Sequence, residues 1–196
     1  MRTILVLVLL VSACSPATTE RDVSDVDGAD MSERVEADFS NGSTALGEAF
    51  IDAFYSWDAP QLRQTVATAS HEDIERVLYY QGWAIGANYA IQTRRSCERD
   101  QNTLTCAITV TDDFGRAMGY TATDTFTLVL EDEAITNVAF EGDDPPIFSE
   151  LQAWIGEEQP EIYTGPCKDL FAGGTTPGDC ARAVATAAQA FMNLRK

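Results

Sequence analysis

The cysteines are the side chains whose number and spacing say most about chemistry. Cys97, Cys106, Cys167 and Cys180 form an even set, and a fifth, Cys14, stands apart near the N-terminus. Such a set reads as either disulfides or a zinc site. Zinc is disfavoured because the chain has no Cys-x-x-Cys and a single histidine. Four cysteines allow three pairings, and spacing selects one. If Cys97 faces Cys106 across a hairpin, the same register pairs Asp100 with Thr103 and leaves a two-residue loop, Gln101-Asn102, the commonest hairpin length. The cysteines then fall on a non-hydrogen-bonded rung, where Cα atoms approach to ~4.5 Å, within disulfide range. Cys167 and Cys180 close a second local loop.

The remaining reactive groups are acids and phenols. His71 sits beside Glu72 and Asp73 at a helix start, a solvated, cap-like setting, so chemistry built around an imidazole lacks its central residue. The pairs Asp112-Asp113 and Asp143-Asp144 invite calcium, but no loop alternates oxygen ligands around a glycine as an EF-hand does. Gly173-Gly174-Thr175-Thr176 lacks the Gly-Lys-Ser/Thr ending of a phosphate loop and reads as a turn. No metal or other cofactor is expected. Asp124, flanked by Thr123 and Thr125, is either an inward acid or an exposed strand residue. Tyr79, Tyr80 and Trp83 crowd one helix, with Tyr89 just beyond it. They are either core or the wall of a ligand pocket.

Those groups hang on recognisable elements. Leu46, Phe50, Ala53, Phe54 and Trp57 recur at helical spacing from Thr44 onward. Asp58 reads as the N-cap of a short second helix through Val66, with Pro60 tolerated in its first turn. Ser70 with Asp73 resembles a capping box opening a third helix. Ile74, Val77, Leu78, Gln81 and Ile85 form its buried stripe. Tyr79 and Trp83 occupy the other side, beside Gly82 and Gly86. A helix apolar on two faces is sandwiched, or lines a cavity or a subunit contact, so a dimer is one outcome.

From Tyr89 the period falls to two. Leu104, Cys106, Ile108 and Val110 alternate with polar or small residues, as a strand with one buried face does. A second hairpin follows: Tyr120 to Leu130, a turn at Asp132-Glu133, then Ala134 to Phe140. Asp143-Asp144-Pro145-Pro146 stops the strand. Phe148, Leu151, Trp154 and Ile155 begin another amphipathic helix. Thr176-Pro177-Gly178-Asp179 leads into the last one, with Asp179 as its expected cap. There Ala181, Val184, Ala185, Ala188, Phe191 and Met192 make the buried face. No internal repeat is present.

At the N-terminus, Arg2 precedes an apolar run from Thr3 to Leu10, followed by Val11-Ser12-Ala13-Cys14. The run is about half of the ~20 residues needed to span a bilayer. A charged start, a short apolar core and small residues make a secretory signal. With Cys directly after Ser-Ala, the segment resembles a bacterial lipoprotein signal. That resemblance implies cleavage after residue 13, lipidation of Cys14 and a cell-envelope address. Ser15, where Asp would retain the protein at the inner membrane, implies an outer membrane facing the periplasm if the organism has two. Residues 14–43, rich in acids and poor in bulky apolar groups, predict a disordered tether. Net charge is −18. Such a surface repels nucleic acid and anionic headgroups, so the acyl chains alone must hold the membrane.

Helices followed by a strand meander predict an α+β fold in which a curved sheet wraps a helix. The helix ending Phe54-Tyr55-Ser56-Trp57-Asp58, the strand Asp124-Thr125-Phe126-Thr127-Leu128 and the hairpin Asp132-Glu133-Ala134-Ile135 resemble the NTF2-like (SnoaL-like) superfamily. Many members carry Asp-Gly at that hairpin, so Glu133 implies a longer or a strained turn. The implied organisation is a signal over 1–13, the tether over 14–43, an NTF2-like cone over 44–164, and a disulfide-clipped loop and helix over 165–196. The superfamily includes isomerases, hydrolases and non-catalytic binders. Resemblance therefore implies a binding module for a small apolar ligand or an envelope protein. The alternative is a metal-independent isomerase or hydrolase in which Asp124 and Tyr89 are the catalytic candidates. A third reading is a purely structural envelope component.

Overall fold

The computed structural model describes residues 44–170 and 176–195. Cys14, the signal and tether segments over 1–43, and residues 173–175 of the glycine-rich turn lie outside the described residues.

The chain forms an α+β fold on an open antiparallel sheet. Helix α1 (described over residues 44–55), α2 (Ala59–Thr65) and α3 (His71–Gly86) come first. Strands β1 (Ala90–Arg94), β2 (Glu98–Asp100) and β3 (Thr103–Thr111) follow, then a short helix α4 (Asp113–Met118). Strands β4 (Ala122–Glu131) and β5 (Ala134–Gly142) complete the sheet, and α5 (Pro146–Glu158), α6 (Glu161–Thr164) and α7 (Pro177–Leu194) close the chain. The order across the sheet is β1-β3-β4-β5, and β2 shares with β1 the same edge of the long β3. Among the described residues no helix is long and apolar enough to cross a membrane.

Local chemistry sets the element boundaries. Asp58 caps α2 by accepting from the Gln61 N–H at 3.0 Å, and Ser70 caps α3 by accepting from Asp73 at 3.1 Å. Helix α7 begins two residues before the expected cap. Pro177, with fixed φ and no N–H to leave unpaired, opens its first turn, and Asp179 lies inside that turn, paired with Arg182. Cys97 bonds to Cys106 and Cys167 to Cys180, with Cα separations of 4.3 and 4.5 Å. The first link sits one rung beyond the Glu98–Thr105 pair, in the register that a Gln101-Asn102 loop requires.

Two apolar clusters meet along α3. The first packs Phe50, Phe54, Leu62, Val77 and Ala84 on the inward residues of β3, β4 and β5. The second joins Trp83 and Ala87 to Phe114, Phe148, Leu151, Ile155 and the buried face of α7. Helix α3 is thus sandwiched, and α7 comes so close that a Cβ on Gly86 would lie 2.4 Å from the Gly178 backbone. Two stripe assignments are corrected. Ile85 is 44% exposed and Ala84 takes its place on the sheet. Trp57 is also exposed, because α1 ends before it and Trp57 itself turns at φ 64.

Candidate functional site

Where the clusters meet they leave a cleft of about 280 Å³. From α3 it takes Tyr80, Trp83 and Ala84, a stripe at i, i+3 and i+4 that one helix face must present together. Tyr89, just past the helix, and Phe114 on α4 form a second side, with the rings of Trp83 and Phe114 centred 5.9 Å apart. Phe140 on β5 stacks on Tyr80 at 4.5 Å, and Phe148 on α5 meets Phe114 at 5.3 Å.

Asp124 enters this ring-walled space from β4. Ala122, Asp124, Phe126, Leu128 and Leu130 share one parity of the strand and all face inward. Asp124 is 3% exposed, and its Oδ2 accepts the Tyr55 hydroxyl at 2.6 Å. Directly across the β4–β5 ladder stands Gly142, which leaves the space above the carboxylate open. Burial raises the Asp124 carboxyl to about 7; the Tyr55 hydrogen bond opposes this, and the charges of Asp144, Asp112 and Asp143 add to it. Burial and the nearby Asp124 likewise raise both Tyr55 and Tyr89 well above the ordinary phenol range. Tyr89 in turn receives a hydrogen bond from Trp83.

Two further acids act on the cleft. Asp144 lines its exposed rim, and burial of the carboxyl, with Asp143 beside it, raises it. Asp112, 2% exposed, caps α4 by accepting the Gly115 N–H at 2.5 Å, yet burial still raises it to about 7. Among the described residues the buried Tyr120 hydroxyl has no partner at hydrogen-bonding geometry, and burial, then the nearby Asp112 and Asp144, raises it above the ordinary phenol range. Among the described residues no three His, Cys, Asp or Glu side chains group to hold a metal ion.

Asp124, Tyr89, Tyr80 and Trp83 are therefore brought to one cleft. Tyr79 is not: it is buried, but rotated by about 100° from Tyr80 around the helix, off the stripe that faces the cavity. The disulfide cysteines lie elsewhere, with Gly47 of α1 packed against the Cys97–Cys106 link. At least one acid of each pair serves local structure. Asp113 holds Arg116 and Asn88, and Asp143 accepts from the Thr123 N–H. Tyr55, Phe114 and Asp144 complete the site without having been expected there. Comparison with protein-family models, with curated proteins and with solved structures finds no match to this chain.

Proposed function

We propose that this chain is a lipid-anchored envelope protein, with an NTF2-like domain whose cleft binds a small molecule. One observation carries the binding reading: a buried carboxylate lines a cavity walled mostly by aromatic rings. Burying an acid costs several kcal/mol unless something is gained, and an apolar cavity with a few convergent polar groups is the usual form of a ligand site. The volume suits a compact ligand with an apolar body rather than a protein segment. Helices packed on an open antiparallel sheet support the NTF2-like assignment, and the Val11-Ser12-Ala13-Cys14 segment supports the anchor.

Native mass spectrometry of the delipidated protein tests the binding claim, beside a Gly142→Leu variant. Among the described residues a Cβ at Gly142 meets only Asp144 within 4 Å, at an ordinary 3.5 Å, so the larger side chain should fill the cleft without disturbing the strand. A co-purifying small molecule in the parent that is lost in the variant is the expected result. An empty parent that also takes up no added ligand sinks the claim. For the anchor, Cys14→Ser should release the protein from the membrane fraction or block its processing. Retention as firm as the parent's would count against lipidation.

A second reading has its own support. A carboxyl near 7, hydrogen-bonded to Tyr55 and sharing the cleft with Tyr89, is suited to move a proton on a bound molecule. Asp124 would be the base and Tyr89 the donor to developing negative charge. Proton exchange at a ligand carbon, lost in Asp124→Asn while the ligand still binds, would establish that reading over simple binding.

A further inference from the structure

We infer that the ligand of this cleft is an organic cation, an amine or quaternary ammonium carried on a small apolar body. The inference rests on the binding reading above and concerns what the same cleft selects. Among the described residues, both charged groups lining it, Asp124 and Asp144, are acids, and no Lys or Arg lines it. Two guanidinium groups whose charges are felt beside the cleft, Arg94 at Tyr55 and Arg116 at Asp112, are already paired. Arg94 pairs with Glu48 and Asp52, and Arg116 with Asp113 and the Asn88 carbonyl. The same cleft is lined by Tyr80, Trp83, Tyr89, Phe114, Phe140 and Phe148. Aromatic faces carry negative potential and attract desolvated cations, so rings and acids favour the same charge.

The acids need such a partner. Asp124 faces Tyr55 from α1, Tyr89 from beyond α3, and the charges of Asp112, Asp143 and Asp144; the leading charges that shift it are all acidic, while the Arg94 charge is felt at Tyr55. Its proton is held up to about 7 by burial and those like charges. A bound cation offsets both. An anion would meet repulsion from the whole cluster and from a chain of net charge −18. A bare metal ion lacks a grouped donor set among the described residues.

The test titrates the purified full chain with three probes of one size, read by tryptophan fluorescence and calorimetry. They are benzyltrimethylammonium, its neutral carbon isostere neopentylbenzene, and phenylacetate. At pH 8 the cation should bind at least about tenfold tighter than the isostere, with phenylacetate weakest, a preference of the size expected for a desolvated cation–π site. The preference should shrink at pH 5.5, where Asp124 and Asp112 carry protons, and in Asp124→Asn. Gly142→Leu should abolish binding of the cation and of the isostere. An isostere that binds as well as the cation overturns the charge assignment and leaves the binding reading standing. A cation preference that survives unchanged in both variants places the cation on the acidic surface and also overturns it. If no probe binds, both readings fall.

Discussion

Asp124 and Asp112 give the protein an unusual pH signature. Each is held near 7 when folded, against an ordinary carboxylate value of 3.8, so the folded state binds more protons than the unfolded one between those values. Stability from these groups is fully present below about pH 4 and is lost as pH rises toward 7, the reverse of a salt-bridged carboxylate. Asp124→Asn removes that loss at one site and keeps an oxygen to accept the Tyr55 hydroxyl. We expect the variant to be more stable than the parent in urea at pH 8, with the advantage shrinking by pH 5. A variant less stable than the parent at pH 8 would mean that the ionised Asp124 is better satisfied than its surroundings indicate. The acid is retained at a cost in stability, which fits a site kept for binding rather than for folding.

The β4–β5 hairpin turns on Asp132-Glu133, with both residues at positive φ, 49 and 57. Glu131 pairs with Ala134, so the loop is two residues long, and Thr136 is bulged where the register slips at Val129 and Leu130. The turn is thus strained rather than lengthened. Left-handed backbone costs a non-glycine residue about 1–2 kcal/mol, partly offset by the greater chain entropy that glycine loses on folding. Glu133→Gly should therefore raise stability by roughly 0.5–1 kcal/mol, seen as a higher urea midpoint at unchanged slope. A lower midpoint would show that the Glu133 side chain holds the turn. Most elements of this kind were legible, because caps, two-residue loops and alternation act over a few residues. The disulfide register followed from Gln101-Asn102 alone. Helix α4 was not legible, being too short to show a period. Asp124 was half legible: it shares parity with Phe126 and Leu128, the signal for an inward acid, but its threonine neighbours argued equally for solvent. Tyr55 lies one residue off the α1 stripe, and Phe148 reads as core until α4 and α5 are brought together. The cleft depends on elements distant in sequence, which local patterns do not bring together.

At the scale of the whole molecule, the cleft is a seam. Tyr80, Ala84 and Phe140 belong to the sheet cluster, while Trp83, Phe114 and Phe148 belong to the cluster built on α7. The seam stays closed because α7 packs against α3 through small residues. A Cβ on Gly82 would meet the Pro177 ring at 2.6 Å, and one on Gly86 would meet backbone atoms of Gly178 at 2.4 Å. Glycine to alanine inside a solvated helix stabilises by roughly 1 kcal/mol, through helix propensity. At Gly86 the sign should reverse, because the clash is with backbone and cannot be relieved by turning a side chain. Overpacking of this kind costs about 1–3 kcal/mol and displaces what it touches. Gly86→Ala should lower the urea midpoint and also weaken ligand uptake, since pushing α7 away shifts the Trp83 and Phe148 wall while Asp124 and Phe140 stay with the sheet. Gly82→Ala should do the same more mildly, since a proline ring yields more readily than backbone. A Gly86→Ala protein as stable as the parent, with uptake intact, would mean that α7 does not seal the seam and that the cleft belongs to the sheet layer alone.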